Sequence, residues 1–194
     1  QRVDALIAKG EDQTLAIIEV IREDIETCKP IHFDWNGYSD EWKEEAKKRG
    51  LLNLETTVDA IPTLDAPEVV ELFKKHRIFE KNELTARKEI ALENYVHTLH
   101  IEALTMIDMV HQGIIPAVVK YQGDLLEVLK AKKELSLAQA DSMEGTLLSR
   151  IDALTPALLS GISKIEAVLD KDGDHDSVLA HASFYRDNLI SIMK

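Results

Sequence analysis

Apolar side chains recur every three or four residues along most of this chain, the spacing that places them on one face of an α-helix. Leu15, Ile18, Val20, Ile21 and Ile25 predict a helix over about 12–28. It should stop before Pro30, because a proline pushes the preceding residue out of the helical region. The stretch PIHFDWNGY, residues 30–38, breaks the pattern: Ile31–Phe33 is a candidate short strand and Asn36–Gly37 a turn. Ser39 is placed to cap a short helix. Its acids, Asp40 and Glu41, lie at the positive end, and Lys47, Lys48 and Arg49 lie at the negative end, before Gly50. Residues 51–65 read as an irregular connector with a helical turn near Val58–Ile61, and Pro67 opens a helix to about His76.

The periodicity is nearly unbroken from Asn82 onward. Asn82 can cap a helix of about 30 residues running to Gln112, with Gly113 as its stop. Its apolar stripe is Leu92, Tyr95, Val96, Leu99, Ala103, Met106, Ile107 and Val110. Pro116 suits the first turn of a next helix bearing Val118, Val119, Tyr121, Leu125, Val128 and Leu129; alternatively, Gly113 and Pro116 only kink one longer helix. A further helical region covers about 137–169, kinked or split at Pro156. After a turn over 170–176, with Asp176 as cap, a last helix should turn Val178, Leu179, Ala182, Tyr185, Leu189 and Ile190 inward. Long helices with short connections make a bundle. The expected fold is mainly α: a small N-terminal helical segment with an irregular connector over 1–65, then an antiparallel long-helix bundle over 66–194, with at most one short strand.

Charge narrows the partners. The formal net charge of −12 repels phosphate backbones and anionic lipid heads, which argues against nucleic-acid and membrane partners. The single cysteine, Cys28, cannot form an internal disulfide, in keeping with a reducing cytoplasm. Residues 1–13 carry no apolar core of a secretory signal, and the start at Gln1 suits an excised piece of a longer chain.

Candidate chemistry is sparse. Glu93, His97 and His100 fall at i, i+4 and i+7, with Asp108 and His111 further along the same stripe. Such a set could hold Zn²⁺. The competing assignment is a polar flank that meets another helix or subunit. It is favoured because a di-iron bundle would need two Glu-x-x-His motifs, and the sequence has none. Asp170, Asp172, Asp174 and Asp176 suggest a calcium loop, but His175 and His181 fall where the pattern needs Gly and Glu. Cys28 sits at a helix end before Lys29-Pro30 and is read as an inert thiol, and no nucleophile elbow or glycine-rich phosphate loop is present. Trp35, Tyr38 and Trp42 surround the Asn36–Gly37 turn as a small core or a contact surface. We therefore expect no catalytic, cofactor-binding or metal residue.

Three stretches carry a family likeness. They are LENYVHTLHIEALTMIDMVHQGIIPAVVKY (92–121), FDWNGYSDEWKEEAKKRGLLNL (33–54) and APEVVELFKKHRIFEKNEL (66–84). Together they resemble the C-terminal region of type III glutamine synthetases, from about Glu11 to beyond Tyr121. The resemblance implies a parent enzyme that joins ammonia to glutamate with ATP and Mg²⁺ or Mn²⁺, in an upstream catalytic region of the same polypeptide. It also implies a large cytoplasmic homo-oligomer of stacked rings. This segment would then be a non-catalytic support or subunit contact, since none of the family's active-site motifs matches a position here. A free-standing helical interaction module and a metal-binding bundle using Glu93–His111 are the other readings.

Overall fold

The computed structural model describes residues 1–137, 142–173 and 175–193. It is 79% helical, with no strand among the described residues. The chain divides into two compact units, Gln1–Glu55 and Thr56–Lys194.

The first unit holds α1 (Arg2–Ala8), α2 (Gln13–Cys28) and α3 (Asp40–Lys48). The Asp12 carboxylate caps α2 by accepting from the Thr14 and Leu15 amides. The candidate strand at Ile31–Phe33 does not form; Pro30 instead seeds a 3₁₀ turn over Lys29–Ile31. A proline already fixed near helical φ, with no N–H to give a ladder, favours that outcome. Ser39 caps α3, accepting from the Trp42 amide. Trp42 then packs on Phe33 with ring centres 4.3 Å apart, and its indole N–H donates to Asn53 Oδ1 at 3.0 Å. Arg49 donates from Nη1 to the carbonyls of Pro30 and His32, at 3.2 and 2.6 Å, which ties the loop to the end of α3. Trp35 and Tyr38 stay outside this packing, 82% and 95% exposed. The buried apolar residues of this unit are Ala16 and Ala46.

The second unit begins with α4 (Thr57–Ala60), a 3₁₀ turn over Ile61–Asp65 and α5 (Pro67–Lys75). Residues 56–65, grouped by sequence with the N-terminal segment, pack here with the C-terminal helices. Val58 is buried in their core, and Lys88 Nζ lies 2.5 Å from Asp65 Oδ2. Next comes α6 (Lys81–Met109), a π-helical turn over Val110–Ile114 and α7 (Ile115–Glu134). Asn82 is not the cap of α6. Glu80 is, through a reciprocal box in which its amide donates to Glu83 Oε2 at 2.7 Å. Nor does Gly113 stop the helix, which runs for 54 residues. The wide π turn lies just ahead of Pro116, whose missing amide would otherwise interrupt a regular ladder.

α8 (Met143–Leu169) starts from a Ser142 cap and continues through Pro156 without splitting. Three pairs set its direction against the long helix: Lys132–Glu144, Gln122–Asp152 and His111–Glu166, at 2.7, 2.6 and 3.4 Å. Partners on one element rise in number as those on the other fall, so the two run antiparallel. α9 (Val178–Asn188) is capped by Ser177 rather than Asp176, its hydroxyl accepting from the Ala180 amide, and α10 (Ile190–Met193) follows. The core joins Val58, Leu92, Val96, Ala103, Val110, Ile162, Ile165, Ala182, Tyr185 and Leu189. The stripe expected on the long helix thus faces inward as far as Val110. Beyond it Val119, Tyr121 and Val128 are exposed, and on α9 so is Leu179. Among the described residues, no helix is long and apolar enough to cross a membrane.

Candidate functional site

The structure separates the histidines of the Glu93–His111 stripe. Glu93 and His97 face solvent. Asp108 accepts from Gln112 within its own helical run, and His111 reaches Glu166 on α8. His100 leaves the stripe for the core edge, where its Nδ1 lies 2.8 Å from the Tyr185 hydroxyl.

That hydroxyl is the hub of a second cluster. α9 carries His181 and Tyr185 four residues apart, on one face, pointing back at the turn after α8. Tyr185 is fully buried and donates to Asp172 Oδ2 at 2.6 Å. Its one proton is thereby used, so the 2.8 Å contact with His100 has Nδ1–H donating to the phenol oxygen. Asp172 Oδ1 meets both His181 Nε2, at 2.7 Å, and His175 Nε2, at 3.2 Å. The two imidazoles stack with centres 4.3 Å apart and planes inclined by 21°. Phe184 flanks His175, centre to centre 5.1 Å, and walls one side of the cluster.

Burial works against ionising Asp172. Hydrogen bonds from Tyr185 and His175, with the attraction of His181, outweigh it and hold the carboxyl below its ordinary range. Tyr185 is pushed well above its ordinary value, first by burial and then by the carboxylate it serves, so it stays a neutral donor.

Among the described residues, Asp172, His175 and His181 are the one group of three or more metal-capable side chains whose ligand atoms lie within 4.8 Å of one another. In the sequence these positions stand out only as a calcium loop that lacks its Gly and Glu. Asp174, part of that loop, lies outside the described residues. The signal that could have found the cluster is Asp-x₂-His-x₅-His, with Tyr185 four residues further on.

Fold and cluster define a helical domain of two compact units. Its family comes from comparison. The sequence model of the glutamine synthetase C-terminal domain matches residues 16–133. A glutamine synthetase of Butyrivibrio fibrisolvens is 34% identical over 184 residues, which is 95% of this chain and 26% of that protein. One from Bacteroides fragilis (strain YCH46) is 36% identical over 133 residues, 69% of this chain and 18% of that protein. The type-3 glutamine synthetase of Dictyostelium discoideum is 26% identical over 190 residues, 95% of this chain and 26% of that protein. The chain belongs to the glutamine synthetase C-terminal domain family. It spans 18–26% of the length of these relatives.

Proposed function

We propose that this chain is the non-catalytic helical part of a longer, cytoplasmic type III glutamine synthetase. Its role there is to support the upstream catalytic region or to build contacts between subunits of a homo-oligomer. The parent enzyme would join ammonia to glutamate with ATP and Mg²⁺ or Mn²⁺. No residue of this chain is assigned to those cofactors. The sequence has no glycine-rich phosphate loop, and the imidazole-rich cluster at Asp172 is not the oxygen-only donor set that nucleotide-bound Mg²⁺ takes. Every chemical step of the ligation is therefore assigned to residues outside this chain. Glu93, His97 and His111 are read as a polar flank of the long helix, which His100 leaves to meet Tyr185.

The observation that carries the contact role is the bare apolar face of α2. Leu15, Ile18, Ile21 and Ile25 are 62%, 55%, 52% and 65% exposed. At about 100° per residue they fall within roughly a third of the helix circumference. Fully burying one such side chain is worth about 1.5–3 kcal/mol, so covering the exposed halves of four would contribute about 4 kcal/mol. A patch of this kind marks an interaction surface.

The test uses the full-length enzyme and the chain alone. Ile18→Glu with Ile25→Glu should leave the helicity of the isolated chain unchanged. In the full-length enzyme the same pair should lower glutamine formation together with oligomer mass, or with the melting temperature where the face covers the catalytic region. The isolated chain should form no glutamine. An assembled, fully stable and active double variant would refute the contact role, and glutamine formation by the contaminant-free chain would refute the non-catalytic one.

A further inference from the structure

We propose that Asp172, His175 and His181 form a binding site for a divalent transition-metal ion of the Zn²⁺ type, with Tyr185 and His100 positioning the carboxylate. This site is separate from the ATP-linked ions of the parent reaction and does not depend on the assignment above.

The donor chemistry fits. Two imidazole nitrogens and one carboxylate oxygen are a set that zinc and its neighbours bind, whereas Mg²⁺ and Ca²⁺ prefer oxygen alone. The geometry fits as well. Ligands about 2.0–2.1 Å from a tetrahedral zinc ion stand roughly 3.3 Å apart. His175 Nε2 already lies 3.2 Å from Asp172 Oδ1, and His181 Nε2 lies 2.7 Å from the same oxygen. Opening these two separations to that spacing takes at most about 0.6 Å, and all three ligand atoms lie within 4.8 Å of one another. The side chains of Asp172, His175 and His181 are 17%, 19% and 30% exposed, which leaves a side open for a water as fourth ligand.

Convergence on one oxygen separates this arrangement from ordinary hydrogen bonding. A carboxylate offers two oxygens, and two imidazoles with no other constraint would take one each. Here Oδ2 is taken by the buried Tyr185 hydroxyl, itself held by His100, so Oδ1 alone is presented to both rings. Metal-bound carboxylates are oriented in this way by outer hydrogen bonds. The same arrangement joins Asp172 and His175, beyond the end of α8, to His181 on α9, so an ion would staple these side chains together.

Proton bookkeeping is simple. Without metal, each ring donates an Nε2–H to Oδ1. On binding, that nitrogen gives its lone pair to the ion. A neutral ring moves its proton to Nδ1, and a charged ring releases one proton to solvent.

The chain is stripped with chelator and titrated with Co²⁺ and Zn²⁺. We expect one Co²⁺ per chain with the visible absorption of a four-coordinate ion, displaced by Zn²⁺. His175→Ala and His181→Ala should each weaken zinc binding well over tenfold, and Tyr185→Phe, which touches no metal, about tenfold or more. His97→Ala should change nothing. Circular dichroism checks that each variant keeps its helix. Where one does not, the imidazole resonances of the unaltered chain decide: zinc should move those of His175 and His181 most among the seven histidines. No saturable zinc binding up to about millimolar metal would overturn the proposal. So would binding that survives both ring replacements, or resonances that move mainly at His97 or His111.

Discussion

Replacing Tyr185 with Phe removes one oxygen atom and leaves the ring where it is. The side chain is fully buried at the centre of the second unit's core, and Phe keeps the packing, so no cavity forms. What is lost is one hydrogen bond to an ionised carboxylate, at 2.6 Å, and one from His100, at 2.8 Å. Bonds to charged groups are worth about 1.5–3 kcal/mol and neutral ones about 0.5–1.5 kcal/mol. Water recovers part of this, because the side chains of Asp172 and His100 are 17% and 41% exposed. The hydroxyl also no longer has to be desolvated. The net loss should be about 1.5–2.5 kcal/mol, or roughly 5–10 °C in melting temperature for a unit of this size. Urea denaturation in chelator-treated buffer reads it as a lower midpoint with an unchanged slope. Tyr121→Phe is the control: that ring is 45% exposed and should shift stability by no more than about 0.5 kcal/mol. Combining Tyr185→Phe with Asp172→Asn should give a coupling above about 1 kcal/mol. A Tyr185→Phe loss indistinguishable from that of Tyr121→Phe, or strict additivity with Asp172→Asn, would refute the hub.

Two further outcomes follow from the same packing. Leu92→Ala, at a site 1% exposed, should cost about 2–5 kcal/mol, whereas Leu104→Ala on the same helix, 49% exposed, should cost under about 1 kcal/mol; chemical denaturation of both compares them, and equal losses would contradict the assigned face. Glu144 is nearly buried, and the Lys132 ammonium at 2.7 Å holds its carboxyl below the ordinary range. A depressed carboxyl adds stability that is present above its unfolded pKa, about 4.3, and is lost as pH falls through the lower folded value. Glu144→Gln should therefore trail the unaltered chain at pH 7 and converge with it by about pH 3, and a gap that stays constant with pH would rule out the ion pair as its source.

Local signals carried much of this fold in the sequence. Ser39 and Pro67 mark helix starts because a cap or an N-terminal proline acts within four residues. The stripe from Leu92 to Val110 is legible because one helix face meets one core. The errors arise where two local signals compete. Asn82 is a good cap by type, yet the reciprocal pair Glu80–Glu83 satisfies two amides and wins. Gly113 is a good stop by type, yet a π turn widens to pass it and reaches Pro116 intact. Exposure along α7 was not legible, because Val119, Tyr121 and Val128 keep helical spacing whether or not anything covers them.

The cluster at Asp172 was hidden for a different reason. Its members sit on a turn, on α9 and on the long helix, so no single periodic pattern contains them. Five polar residues on one helix looked like a set because a helix repeats in sequence. Ligand geometry instead needs atoms that converge, and regular spacing along one helix does not by itself bring them together. His97 and His100 diverge for that reason, while the turn after α8 folds Asp172 and His175 back onto His181. His100 joins the cluster only because the core brings Tyr185 against α6, a contact across 85 positions that no spacing rule encodes. In this domain, then, the histidines that converge on one carboxylate oxygen are those beside a turn, and the regular stripe is read as a surface.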